Sequence, residues 1–580
     1  MQYNIANIFL TVYALIITLI PISAQHVQFT ANQTVTWNEC IASYENRALH
    51  SSFASLIKCG TTDVGKPLHL FVINKDGIFY PELFDRKKTI VMINNGIHPG
   101  EPDGIDASLM LARELLDSSS NLSSILDSVI ICIVPIYNVD GALNRGSKSR
   151  ANQNGPEQYG FRGNARNLDL NRDFIKCDSR NAQSFNQCFT RIRPNILVDT
   201  HVSNGADYPY TMTLITTQTD KLGGVVGKYL REKMEPALFT AMKNCGQEMC
   251  PYVNTMGRTP ESGLSDFLET SRFATGYAAL YNTIGFTTES HMLKPYPQRV
   301  EATYSFLVFL LQYARDKRRE LQQLKLKADD EMLKLKSFGM SFQLDTTARE
   351  KLAFDGYEAR TEPALVGKGE RTRYDHKATW NKEIPLYRKY RSKIEVSVPK
   401  YYFIAQSWHE AIERLQWNGV MMNRFERDTI IEVEAYSILD YHSPSKPYEG
   451  HFLHSEVKVE LTKKRIPFYA GDYFIPTNQV AVKYICEVLE PQSEDSFFAW
   501  NFFDSVLQQK EWFSDYVFEE IAEELLQSDS KLKTDFETAM KNDATLEASH
   551  WNQLYWIYKH SEYFEQSVNV YPVYRFNQKL

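Results

Sequence analysis

Between residues 88 and about 315 the chain alternates short apolar runs with stretches of helical periodicity. The runs are 89–94, 129–135, 196–200 and 284–288, each containing β-branched residues and bounded by polar residues, Gly or Pro. Between the first two, residues 103–116 place apolar side chains at 105, 109, 112 and 116, the spacing of one helix face. Strand-like runs alternating with helical patterns predict an α/β domain whose sheet is largely parallel in its middle. Residues 300–313 predict a buried helix that ends this domain.

The pattern then changes. Residues 316–335 are heavily charged, with Leu321, Leu324, Ala328, Met332 and Leu335 on one face, which predicts a solvated connecting helix packed along a single stripe. From 387 to about 491 polar residues alternate with apolar and aromatic ones, as in Ile394-Glu395-Val396-Ser397-Val398, the period of half-buried antiparallel strands. Helical patterns return after Phe497, as at 517–526 and 554–563. The fold class predicted is α/β, a mixed and centrally parallel sheet flanked by helices, followed by a β-rich region and a helical C-terminal region. The expected units are a signal peptide over 1–24, a catalytic domain over 25–320, a charged helical linker over 321–380, an antiparallel β-rich domain over 381–491 and a helical region over 492–580. The leader rests on residues 8–20, a mostly apolar uncharged run followed by Pro21-Ile22-Ser23-Ala24, too short for a spanning helix and ending in small residues, although no Lys or Arg precedes it. It predicts export to a periplasmic or extracellular space, with no membrane association once it is removed.

Charge narrows the partners. With 64 basic against 71 acidic residues the formal charge is -7, which argues against binding a phosphate backbone. Eight cysteines lie after the leader, and an oxidising compartment permits disulfides; Cys177 with Cys188 and Cys245 with Cys250 are the nearest neighbours in sequence. Cys132 sits in an apolar run as a buried thiol would. The aromatic clusters at 401–403, 497–503 and 555–558 read as core and interdomain packing rather than as a ligand platform.

What lies at the C-terminal ends of the four apolar runs carries the chemistry, because ligand sites of open α/β sheets gather there. Asn94-Asn95-Gly96-Ile97-His98-Pro99-Gly100-Glu101 follows the first run, Asp199-Thr200-His201 the third and Thr288-Glu289 the fourth. His98 and Glu101, separated by a Pro-Gly turn, are able to grip one ion, and His201 arrives from another strand. Two imidazoles and a carboxylate suit zinc, and three protein ligands leave a position open for chemistry. Taken alone, His-x-x-Glu is weak evidence; its setting after a strand, together with Tyr137-Asn138-Val139-Asp140-Gly141 and Asn167-Leu168-Asp169-Leu170-Asn171-Arg172-Asp173-Phe174, is much stronger.

In order, type and approximate spacing these segments resemble the zinc metallocarboxypeptidase family, the group of the carboxypeptidase A/B-like and regulatory carboxypeptidases, over roughly residues 30–320. The resemblance implies a carboxypeptidase-like fold and one zinc ion per chain held by His98, Glu101 and His201. It also implies that Glu289 is the general base acting on a zinc-bound water, that Arg162 stabilises the oxyanion, and that Asn171 and Arg172 hold the terminal carboxylate of the substrate. Asp169 would orient a ligand histidine. The family's substrate-capping tyrosine has no clear counterpart; Tyr277 and Tyr281 are the candidates. Nor is the acid that a basic-residue pocket needs evident, with Asp266 and Glu269 both in reach. Arg166 competes with Arg162, and His291 reads as a structural histidine.

The implied partners are peptide or protein C-termini. The function that follows is removal of a C-terminal residue from peptides or proteins. Two alternatives stay open: a zinc amidohydrolase of the same fold acting on a cell-wall peptide or N-acyl amino acid, and a non-catalytic binding protein.

Overall fold

Alternation along the apolar runs sends their side chains to two different cores. The computed structural model describes residues 28–579; the predicted leader lies outside the described residues. In chain order the strands of the main domain are β1 (Ala54–Thr61), β2 (Pro67–Ile73), β3 (Thr89–Asn94), β4 (Val129–Val134), β5 (Ile196–Ser203), β6 (Met212–Thr216), β7 (Cys250–Pro251), β8 (Leu264–Ser265) and β9 (Ile284–His291). All but β8 form one eight-stranded sheet in the order β1-β2-β4-β3-β5-β9-β6-β7. Its four central strands are parallel, while β2 joins β4 and β6 joins β9 antiparallel. The expected α/β class and parallel centre are therefore observed.

In β4, Val129, Ile131 and Ile133 face one cluster of buried side chains, and Ile130, Cys132 and Val134 face the other. The first cluster is roofed by the helices Trp37–Leu49, Asp103–Leu116 and Tyr296–Asp316. The second takes in Phe185 and Phe189 of the Arg180–Ile192 helix and then continues without a break into the second half of the chain, through Tyr402, Ile475, Ile485, Trp500 and Tyr571. The C-terminal half thus supplies the second cover of the sheet. The aromatic run at 497–503 behaves as packing: Phe497, Phe498, Trp500 and Phe503 are wholly buried.

Two expectations need correction. The charged linker is helical only to Met332; it is followed by strands Ser337–Leu344, Glu350–Pro363, Glu370–Tyr387 and Tyr390–Ser397. The long hairpin over 350–387 lies mostly in solvent, so few apolar positions (Phe354, Ile384, Leu386) mark it, and its charged residues imitate a linker. The C-terminal region is helical over Asp515–Ser528, Ser530–Asn542 and His550–Lys559, but it closes with Val573–Phe576, which pairs antiparallel with Tyr401–Ile404 in a six-stranded sheet. Beside that sheet Arg575 is buried among Glu490, Tyr436 and Ser397.

The cysteine pairs suggested by sequence proximity do not form. Cys245 is exposed at a helix end while Cys250 is buried in β7, and Cys177 lies against Asn186. The Cys188 thiol meets that of Cys59 instead, across the contact between β1 and the Arg180–Ile192 helix. Among the described residues no helix is long and apolar enough to cross a membrane.

Candidate active site

The parallel register of β5 and β9 sets His201 beside Glu289 at the C-terminal edge of the sheet. From β3 the chain leaves through Gly96, whose φ of +65° favours glycine, into a turn closed by the hydrogen bond from Glu101 N to His98 O at 2.8 Å. Gly104, just beyond, allows the Asp103–Leu116 helix to press on β5: a Cβ there would stand 2.0 Å from Thr200 Oγ1. His98, Glu101 and His201 are consequently buried together, with one ligand-capable atom from each within 4.8 Å of the others.

Both imidazoles turn the same nitrogen inward. His98 Nδ1 lies 3.3 Å from Glu101 Oε1 and is buried without a hydrogen-bond partner, and His201 Nδ1 is 3.1 Å from Glu101 Oε2. Each opposite nitrogen is held by a carboxylate: His98 Nε2 by Asp169 Oδ1 at 2.9 Å, His201 Nε2 by Asp199 Oδ2 at 2.7 Å. Carboxylates on the outer nitrogens leave the inner nitrogens as acceptors, and an orphaned buried acceptor beside a carboxylate is the donor set a zinc ion requires. The residues present therefore fit the metal.

Burial and neighbouring charge set the titration of these side chains on their own. Burial would raise Glu101, but Arg150, with Nη1 2.5 Å from Oε1, and His98 hold it well below the usual carboxylate range. Burial would lower His201, yet Asp199 and Glu101 hold it well above the ordinary imidazole value. Asp169 is likewise depressed, by His98 and Arg162 against the effect of burial. Glu289 goes the other way: burial pushes it up to about 8, His201 opposes, and Glu101 and Glu269 add to the rise. A cation among the three neighbouring ligands brings positive charge that lowers such a carboxyl again and favours its basic form.

These groups line a cleft of about 510 Å³, with Arg162, Asn171, Arg172 and Glu289 at its walls. Arg162 lies over Asp169, with Nε 3.0 Å from Oδ2, and its Nη1 is 3.5 Å from Glu101 Oε1. Arg166, its competitor in the sequence, donates instead to Asp178 O and is not in the lining. Asn171 is fixed by accepting from Ala274 N at 3.1 Å. Arg172 packs its guanidinium 4.1 Å from the centre of the Phe273 ring, and its Nε donates to Tyr448 Oη at 3.0 Å. His291 is a structural histidine, buried and bonded to Ala206 O.

The tyrosine candidates are corrected. Tyr277 and Tyr281 are buried away from the cleft, with their hydroxyls donating to Asn418, because the Ala274–Ala279 helix and the turn that follows it direct them into the core shared with the C-terminal half. The tyrosine that does line the cleft is Tyr252. Asp266 is tied to Arg388 at 3.1 Å outside the lining, whereas Glu269 lies in it, pushed up to about 7 by burial and by Asp199.

Sequence reasoning also missed Asp199, Arg150 and the contact from Tyr448. Asp199 had a signal: it stands two residues before His201 on a strand, hence on the same face. Arg150 and Tyr448 had none, since their loops reach the site only through tertiary packing.

Comparison with known proteins agrees with this geometry. Residues 42–196 match the family described as zinc carboxypeptidase, a span that includes His98, Glu101, Arg162, Asn171 and Arg172. Carboxypeptidase 2 of Trichophyton equinum is 23% identical over 424 residues, covering 71% of this chain and 73% of that protein. Carboxypeptidase 2 of Trichophyton rubrum is 24% identical over 440 residues, with 71% and 73% covered. Among solved structures, a metallo-carboxypeptidase from Pseudomonas aeruginosa is similar at 17% identity over 48% of this chain and 69% of that one, with a TM-score of 0.37, too slight a likeness to assign a fold. Residues 42–196 thus carry a zinc carboxypeptidase domain, and His98, Glu101 and His201 are able to hold a metal ion.

Proposed function

We propose that this protein is an exported carboxypeptidase that hydrolyses the last peptide bond of peptides or proteins. Its catalytic domain spans about residues 25–320, and His98, Glu101 and His201 hold the metal. Zinc held there would polarise the scissile carbonyl and lower the pKa of water toward about 7. The remaining steps belong to the chain's own side chains. Glu289 accepts the proton of the attacking water and passes it to the leaving amine nitrogen. Arg162, at the rim above Asp169, stabilises the charge that develops on the carbonyl oxygen. Arg172, held flat against Phe273, pairs with the substrate's terminal carboxylate, and Asn171 lies beside it, so that the last bond is the one presented. Asp169 and Asp199 fix the tautomers and ring orientations of the two histidines.

The observation that carries the reading is the pair of inward imidazole nitrogens meeting Glu101, each backed by its own carboxylate, with Glu289 in register with His201. Support for export comes from the uncharged apolar run at 8–20 and the small residues that follow it. The test is elemental analysis of the purified chain joined to mass-spectrometric digestion of a mixed peptide library, with and without chelator. About one zinc per chain and chelator-sensitive loss of single C-terminal residues are expected. Bound zinc without peptide trimming would turn the assignment to another amide, and trimming that survives complete metal removal would overturn it.

A further inference from the structure

One contact of the C-terminal half reaches the cleft. The strands Thr429–His442 and Ser455–Phe468 are joined by a connection whose turn, Tyr448-Glu449-Gly450-His451, is closed by reciprocal backbone bonds between Tyr448 and His451. Both middle residues are left-handed, Glu449 with φ of 51° and Gly450 with 86°. Glycine takes this conformation freely, but glutamate does not, so something beyond the turn holds Glu449 there.

Its side chain supplies the reason. Glu449 Oε2 accepts from Asp169 N at 2.7 Å, across 280 residues of chain. Asp169 is the residue whose Oδ1 holds His98 Nε2 and accepts from Asn171 N. The same turn sends Tyr448 Oη to Arg172 Nε at 3.0 Å, while His451 Nε2 donates to Asp178 Oδ2 at 2.7 Å. The segment from 169 to 178, which carries Asn171 and Arg172, is therefore gripped at both ends and at its arginine by one turn.

The turn itself has rigid backing. Tyr448 stacks on buried Trp500 with ring centres 6.2 Å apart, and Arg272 lies over Trp500 while bonded to Asp495 at 2.8 Å. Tyr448 stands behind Arg172, outside the lining of the cleft. Its hydroxyl takes the Nε hydrogen of Arg172, and Phe273 covers one face of the guanidinium. Arg172 Nη1 also donates to Asn171 O at 2.8 Å, so a guanidinium held at Nε, at Nη1 and by one face keeps a single plane and sends its remaining N–H groups in a fixed direction, which is what binding of a carboxylate needs.

We infer that Tyr448 and Glu449 are positioning residues of the active site, through which the C-terminal half sets the plane of Arg172 and the place of Asp169. The inference rests on the reading of Arg172 as the carboxylate clamp.

The test uses the full zinc-loaded chain and the peptide trimmed fastest from the mixed library, with its C-terminal amide as the control. Tyr448→Phe keeps the ring on Trp500 and removes the hydroxyl that meets Arg172. It should raise KM for the free-carboxylate peptide by about five- to twentyfold, leave kcat within about twofold, and leave kcat/KM for the amide unchanged. Glu449→Ala should weaken zinc retention in a chelator competition, and Glu449→Gln, which keeps an acceptor, should restore most of it. Arg172→Ala is run alongside. If it abolishes the preference for a free carboxylate while Tyr448→Phe leaves KM unchanged, the positioning role is overturned and the carboxypeptidase reading stands. If Arg172→Ala itself keeps that preference, the clamp fails and the inference fails with it. A Tyr448→Phe chain that loses activity equally on both substrates would show a merely structural contact; should that variant not fold, the zinc retention of the two Glu449 variants decides.

Discussion

The cluster around His98, Glu101 and His201 and the cluster around Arg575 and Glu490 are both made of ionisable side chains taken out of water, yet they end differently. Arg575 gives its nitrogens to Glu490, Tyr436 and Ser397, and Glu490 accepts in turn from Tyr402 at 2.5 Å. Its Nε makes no hydrogen bond and lies 3.7 Å from Glu434. At the sheet edge, by contrast, atoms of His98, Glu101 and His201 converge within 4.8 Å of one another, and Glu289 opens on the cleft. One network closes on itself and ties the last strand to the body of the protein. The other brings its ligand-capable atoms together at the edge of a cleft, where a cation fits. Burial of charge alone therefore does not mark a functional site; convergence of ligand-capable atoms beside a cleft does.

Each half of that contrast can be broken separately. The largest effect is expected from Glu289→Gln, which should retain zinc by elemental analysis while kcat falls by about a hundred- to ten-thousandfold; near-normal turnover would remove Glu289 from the role of base. Glu490→Gln should leave the Arg575 charge buried without its counter-ion and destabilise the fold by about 3–5 kcal/mol in urea unfolding, with turnover per folded molecule kept. A loss of activity without loss of stability would show that the two clusters are not independent.

A smaller effect is expected at Asp106, a buried carboxyl that has neither a metal nor a guanidinium. It accepts from Tyr296 Oη at 2.5 Å, and burial pushes it up to about 7 from an ordinary 3.8. Between those values the folded chain holds a proton that the unfolded chain has released. Its contribution is therefore fully present below about 4 and is lost as pH rises toward about 7, at no more than about 1.4 kcal/mol per pH unit. Asp106→Asn should flatten that part of a stability profile measured by urea unfolding, and an unchanged slope would place the proton elsewhere.

The contrast also explains what could be read in advance. The strands at 89–94, 129–134, 196–203 and 284–291 and the helix at 103–116 were legible because each buries a regular apolar face, and period and length together identify such elements. The ligand candidates were legible because they sit at strand ends in a distinctive order. The hairpin over 350–387 was not, since a ribbon in solvent has little apolar signal. Tyr277 and Tyr281 were misplaced because the core that swallows them is completed by Asn418 and Tyr484, which no local pattern announces. Arg150 and Glu449 escaped notice for the same reason: their partners lie 49 and 280 residues away.

That last separation bears on the order in which the protein is made. A chain emerging from its N-terminus produces His98, Glu101, Asp169, His201 and Glu289 well before the turn that meets Asp169 and Arg172, which follows only at 448–451, and the strand at 573–576 comes later still. A contact of such long range forms after the intervening loop has been closed. The segment that carries Asn171 and Arg172 therefore gains this hold only after a further 280 residues have been made.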